Sequence, residues 1–240
     1  MLELKPERLD IGEFSQHQVS ICGRSFIADV SGALYWPAED AMIVADLHLE
    51  KASRYASRGI MLPPYDTRAT LERLADALDR FRAQTVICLG DSFHDVDAAA
   101  RMGDEERDIL AILQDDREWI WLAGNHDPSI PADIGGERFD RLEVSGLTFR
   151  HEPAGSPVTH EIAGHLHPAA RVSFHGHVIR RPCFVGNGTR LVLPAFGTFT
   201  GGLNVLDEAF APLFGYEGVS VWMLGQEGLY PVATRLLRED

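Results

Sequence analysis

Trp119-Ile120-Trp121-Leu122-Ala123-Gly124-Asn125-His126-Asp127 is the stretch whose reading decides the fold. An apolar run that breaks at a glycine into metal-competent polar residues reads as a buried strand delivering chemistry at its C-terminal end. Four other segments repeat the pattern. Ala41-Met42-Ile43-Val44-Ala45 leads into Asp46-Leu47-His48, and Thr85-Val86-Ile87-Cys88-Leu89 leads into Gly90-Asp91. Leu147-Thr148-Phe149-Arg150 precedes His151, and Ile162-Ala163-Gly164 precedes His165-Leu166-His167. Polar clusters thus follow apolar runs five times in chain order, and the strand ends are expected to share one edge.

Working outward, Asp66 is expected to cap a helix running to about Phe81, with Leu71, Leu74, Ala75, Leu78 and Phe81 on one face. A second helix, from about Asp104 to Leu113, is expected to bury Ile109, Leu110, Ile112 and Leu113. Strands alternating with helices in the first half predict a parallel sheet with right-handed crossovers. Residues 19–36 read as a strand meander before it, punctuated by Gly23 and Gly32. From about Phe139, short strand-like runs at 142–144, 147–149, 171–174, 177–179, 183–185 and 189–193 predict a second, mostly antiparallel sheet. The expected fold is α/β of the α+β type, a two-sheet β-sandwich flanked by helices on both sides, forming one domain over residues 1–240. Trp119 and Trp121 share a strand face and are read as core rather than as a base-stacking pair.

Composition narrows the function. The 240 residues carry a net charge of −14, which disfavours strong non-specific gripping of nucleic acid. Basic residues are nevertheless present at Lys51, Arg54, Arg58 and Arg68 after the first polar cluster, and at Arg171, Arg180, Arg181 and Arg190 after the last. The three cysteines lack a C-x-x-C spacing, so neither a disulfide framework nor a thiolate zinc site is expected. No apolar run approaches a membrane span, and Met1 to Pro6 lack a signal-peptide pattern; a cytoplasmic location is the expectation.

In extended chain, residues i and i+2 point the same way, so Asp46 with His48, and His165 with His167, each present two donors to one space. With Asp91, Asn125 and His151 they make seven nitrogen and oxygen donors, which suits two ions sharing a carboxylate better than one. Two dications against two carboxylates leave a positive site, for which phosphate is the natural ligand. Among such N/O donors manganese is favoured, with iron, zinc, cobalt and nickel as alternatives. His17, His160, His175 and His177 fall outside the pattern and are read as surface or structural residues.

The order D-x-H, G-D, G-N-H-D, H, G-H-x-H resembles the calcineurin-like metallophosphoesterase superfamily. That resemblance implies its four-layer αββα fold and a role for each residue. Asp46, His48, Asp91 and His167 would hold one metal, and Asp91 as bridge, Asn125, His151 and His165 the other. His126 would be catalytic, stabilising or protonating the leaving oxygen, with Asp127 orienting it. The usual G-D-x-x-D is replaced by Gly90-Asp91-Ser92-Phe93-His94-Asp95, so either His94 or Asp95 faces substrate, and His94 is taken as the contact. This form is similar to a bacterial branch, the ligase-associated DNA damage response endonucleases, as are Asp46 to Lys51, Leu62 to Thr67, Phe149 to Pro153 and Leu193 to Gly197. The branch implies a phosphodiesterase or DNA nuclease with repair proteins, a ligase or helicase, as partners. A small-molecule phosphomonoesterase, a cyclic-nucleotide phosphodiesterase and a non-catalytic metal-binding scaffold are the competing readings.

Overall fold

The computed structural model describes residues 16–155, 158–174, 177–214 and 218–240; His175 and the first six residues lie outside them. The first sheet has seven strands in sequence order, β1 (Gln16–Ile21), β2 (Arg24–Asp29), β3 (Leu34–Trp36), β4 (Ala41–Val44), β5 (Thr85–Cys88), β6 (Glu118–Leu122) and β7 (Glu137–Phe139). β1 to β4 form the expected antiparallel meander, and β4 to β7 pair in parallel. Crossovers between the parallel strands carry α1 (Lys51–Ser57), α2 (Asp66–Phe81), α3 (Ala98–Arg101) and α4 (Asp104–Gln114). β7 is an edge strand without an apolar pattern, its three residues all exposed, and the sequence did not mark it.

The period of two along each parallel strand sorts the core into layers. Met42, Val44, Val86, Cys88, Trp119 and Trp121 pack against Leu71, Leu74 and Leu78 of α2 and Leu110 and Leu113 of α4. Ile43, Ile87 and Leu122 point the other way, onto Phe149, Ile162, Phe184 and Leu191 of the second sheet. The tryptophans are core, as expected. Two expectations change in detail. Ile112 is 70% exposed, because two residues from Leu110 is roughly 200° around a helix of 3.6 residues per turn. Asp66 is the first residue of α2 behind Tyr65, and its Oδ2 accepts the Ala52 N–H at 2.9 Å, so the carboxylate caps α1.

The second sheet contains β8 (Leu142–Val144), β9 (Leu147–Arg150), β10 (Glu161–Ala163), β11 (Pro168–Phe174), β12 (His177–Gly186), β13 (Arg190–Val192), β14 (Leu203–Asn204), β15 (Ser220–Leu224) and β16 (Leu229–Val232). Its order is β14-β11-β12-β13-β10-β9-β8, with β15 on β12 and β16 on β15. Five of its pairs are antiparallel, but β10 is parallel to both β9 and β13, and β14 is parallel to β11. The parallel centre is what brings the ends of β9 and β10 to the same edge. Outside this sheet, Phe210 and Phe214 of a short 3-10 turn and α5 (Ala211–Phe214) cover Val185, Val192 and Val221. The outer helical layer here is thin.

A buried ion pair locks the centre of this sheet. Arg190 Nε lies 2.9 Å from Glu161 Oε2, with the two side chains 1% and 0% exposed. The same guanidinium donates to the carbonyls of Ala154 and Leu213, tying β13 to the chain before β10 and to α5. Arg190→Ala leaves the buried Glu161 with only the half-exposed Arg150 at 4.0 Å as counter-charge, and stability is expected to fall by about 2–4 kcal/mol, read by urea unfolding. A loss below about 1 kcal/mol would mean that water reaches the carboxylate.

Candidate metal centre

Three of the five strand ends, those of β4, β5 and β10, turn through left-handed residues rather than continuing as extended chain. Asp46 (φ 54), His48 (φ 45), Asp91 (φ 47), His165 (φ 71) and His167 (φ 45) all adopt left-handed conformations. Asp and His tolerate this region better than most residues, at a cost that functional sites commonly carry. Asp46 and His48 therefore enter one donor group, but by left-handed turning and not by the strand alternation expected from sequence, whereas His165 and His167 enter different groups. Backbone pairing holds the turns in place: His48 N–H donates to the Asp91 carbonyl at 2.9 Å, and Leu49 N–H to that of Ser92 at 2.9 Å. Gly124 is obligatory here, because a Cβ on it would lie 2.1 Å from Asp91 N and 2.2 Å from Asp91 Oδ1. At Gly164 a Cβ would stand 2.7 Å from Asp46 Oδ2.

All seven predicted donors are brought together. Asp46, His48 and His167 form one group and Asp91, His151 and His165 a second. In the first, His167 Nε2 is 3.2 Å from both His48 Nε2 and Asp46 Oδ1. In the second, His151 Nε2 is 2.8 Å from Asn125 Oδ1, 3.1 Å from His165 Nδ1 and 3.4 Å from Asp91 Oδ2. Asp91 Oδ2 is also 4.0 Å from His48 Nε2, so this carboxylate stands between the two groups. Its other oxygen accepts the His126 N–H at 2.8 Å.

The donor set fits cations. His151 Nδ1 faces the Leu89 carbonyl at 2.9 Å and must donate to it, which leaves Nε2 with a lone pair in the neutral ring. That lone pair points into Asn125 Oδ1, His165 Nδ1 and Asp91 Oδ2, a convergence of acceptors that lacks only a positive charge. The electrostatics agree. Burial favours the neutral His151 ring, but its hydrogen bond to the Asp91 carboxylate and the charges of Asp46 and Asp91 outweigh this and raise its pKa above the ordinary value. His48 is pulled down to about 3, chiefly by burial, with the charges of His167 and His126 adding to it. Burial opposes ionisation of Asp91, yet His151, the His126 N–H and His48 hold its carboxyl at about 2.

His126 and His94 sit at the open side of the centre. The His126 ring is 41% exposed, and its Nδ1 donates to the His94 carbonyl at 2.9 Å. The His94 ring stacks on it, with centroids 5.3 Å apart and planes 21° apart. Asp95 is instead held by both terminal nitrogens of Arg101, at 2.9 and 2.7 Å. Asp127 does not orient His126 as the sequence suggested: the contact on that ring is the His94 carbonyl. The Asp127 carboxylate is buried, accepts the Phe93 N–H at 2.9 Å and fastens the 91–95 loop. Burial, reinforced by the Asp91 charge, pushes it up to about 7. Sequence reasoning missed the Leu89 and His94 carbonyls, since no side-chain pattern marks a backbone acceptor.

Two mixed sheets under helices, with two carboxylate-imidazole groups at their shared edge, define a hydrolase of the two-metal class. The chain belongs to the calcineurin-like phosphoesterase family, whose model matches residues 41–187, and is a metal-dependent phosphoesterase. It is similar to the solved structure of the Pseudomonas putida nuclease MPE, at 28% identity and TM-score 0.70 over 90% of this chain and 100% of that one. Yfce, a phosphoesterase from E. coli, aligns at 12% identity and TM-score 0.38 over 80% of this chain and 98% of that one, too distantly to carry an argument. No curated protein matches by sequence. Among the described residues no helix is long and apolar enough to cross a membrane.

Proposed function

We propose that the chain is a two-metal phosphodiesterase that cuts DNA. The observation that carries this reading is its 28% identity to a nuclease along the whole of that protein. In this reading Asp46, His48, Asp91 and His167 hold one divalent ion, and Asp91, Asn125, His151 and His165 hold the second. Manganese is favoured because the donors include no thiolate; iron, zinc, cobalt and nickel suit the same set. When bound, such ions neutralise charge on the phosphoryl group and activate water.

The remaining work falls to this chain's own residues. With Nδ1 of His126 donating to the His94 carbonyl, Nε2 carries a proton only in the cationic ring. From that form the Nε2 proton passes to the leaving oxygen. His94, stacked beside it, contacts the substrate. The Gly90 to Asp95 and Leu193 to Gly197 stretches support a repair role beside a ligase or helicase, in the cytoplasm. The net charge of −14 favours the competing small phosphate esters.

Manganese-dependent cleavage of plasmid and linear single-stranded DNA tests the reading. Internal cuts that require the metal are expected. Hydrolysis of small phosphate esters with DNA left intact would contradict it.

A further inference from the structure

We propose that the chain holds a polynucleotide at two phosphate subsites outside the metal centre, Arg54 with Arg58 and Arg180 with Arg181, so that the cleaved bond lies within a strand. The inference rests on the nuclease reading and deepens it by naming what grips the substrate on either side of the cut.

Two cavities adjoin the centre and share no lining residue. One, of about 190 Å³, is lined by Arg54, Tyr55, Arg58, His94, Asp95 and His126. The other, of about 110 Å³, includes His167, Arg180, Arg181, Thr200 and Gly202. They therefore open at different members of the centre. His48 contacts both sides, its ring centroid 5.2 Å from that of His126 and 5.1 Å from that of His167.

Charge distinguishes these four arginines from Arg68 and Arg190, which lie near the same polar clusters. Arg68 is spent on Glu72 and Glu105, and Arg190 on buried Glu161. Among the described residues Arg58 and Arg181 have no carboxylate partner. Arg54 reaches Asp95 only at 3.6 Å, and that carboxylate is already held by Arg101. Arg180 pairs at 3.1 Å with Asp240, 55% exposed, which a phosphate can replace at little cost. In a chain of net charge −14, under-neutralised guanidinium pairs at both cavities are a local reversal of sign. Guanidinium is the side chain best matched to phosphate.

A monoester or cyclic nucleotide carries a single phosphate and offers nothing to the second guanidinium pair. Only a strand with phosphates on both sides of the scissile one reaches both. An aromatic stands by each cavity, as a nucleic acid would use: Tyr55 stacks on His94 with centroids 6.0 Å apart, and Phe199, next to Thr200, is 52% exposed. The Phe199 carbonyl is fixed by Lys51 Nζ at 2.9 Å.

The test compares cleavage of a labelled single strand of about 20 nucleotides with hydrolysis of bis-p-nitrophenyl phosphate. It uses Arg54→Ala/Arg58→Ala, Arg180→Ala/Arg181→Ala and, as control, Arg68→Ala. Each double variant is expected to lower the ratio of strand to small-diester efficiency by at least about tenfold, through KM, and to flatten its salt dependence. Arg68→Ala keeps the wild-type ratio. Lysine pairs at the same positions recover part of the loss and separate charge from folding. A wild-type ratio in either alanine pair, in an enzyme that cuts DNA, overturns the two-sided grip alone. A wild type that hydrolyses the small diester but cuts no strand overturns the nuclease reading, and this inference with it.

Discussion

Asp91→Asn is expected to lower occupancy of both metal positions and to abolish turnover. Asp91 stands between the two donor groups and faces the inward nitrogen of each, with Oδ2 3.4 Å from His151 Nε2 and 4.0 Å from His48 Nε2. The amide keeps the volume and removes the charge. One pair of unit charges about 4 Å apart at an effective dielectric of about 20 interacts with about 4 kcal/mol, roughly a thousandfold in affinity. The substitution withdraws that attraction from each ion. It also removes the oxygen charge that holds the His126 N–H, so the loop carrying His126 is expected to loosen. Metal content per chain by mass spectrometry, beside diester turnover, reads both effects. Wild-type occupancy of both positions would remove Asp91 as the shared ligand.

His126→Ala is expected to show the opposite separation, metals kept and turnover lost. The His126 ring makes its hydrogen bond to a backbone carbonyl, and its Nε2 lies 3.9 Å from Asp91 Oδ2 beside the donor groups. A positioned proton donor contributes roughly 100- to 10,000-fold, and turnover should fall within that range. The loss should be smaller for an ester whose leaving group needs no proton, so p-nitrophenyl esters will understate it relative to DNA. Loss of metal in this variant would move His126 from the acid role into the ligand set.

The architecture was legible where burial imposes a pattern. β4, β5 and β6 lie between helices and a second sheet, so each reads as a continuous apolar run, and the break at its end marks the edge. The donor positions were legible for the same reason, because a polar residue directly after such a run has few places to go. What stayed hidden is local or tertiary. Left-handed turns at Asp46 and His165 follow from backbone pairing between distant segments, not from their own neighbours. β7 and the two-residue β14 carry no periodicity, and the parallel setting of β10 depends on which strands flank it. Asp127 beside His126 in sequence suggested a shared task, but the strand-end turn aims its carboxylate at Phe93 instead.

The measurement closest to the central claim is manganese-dependent hydrolysis of bis-p-nitrophenyl phosphate beside p-nitrophenyl phosphate, by the wild-type chain and by His126→Ala. The account predicts diester turnover well above monoester turnover, falling in the variant while its metal content holds. Monoester preference would contradict the phosphodiesterase assignment, and silence on both esters with two metals bound would leave a scaffold in place of an enzyme.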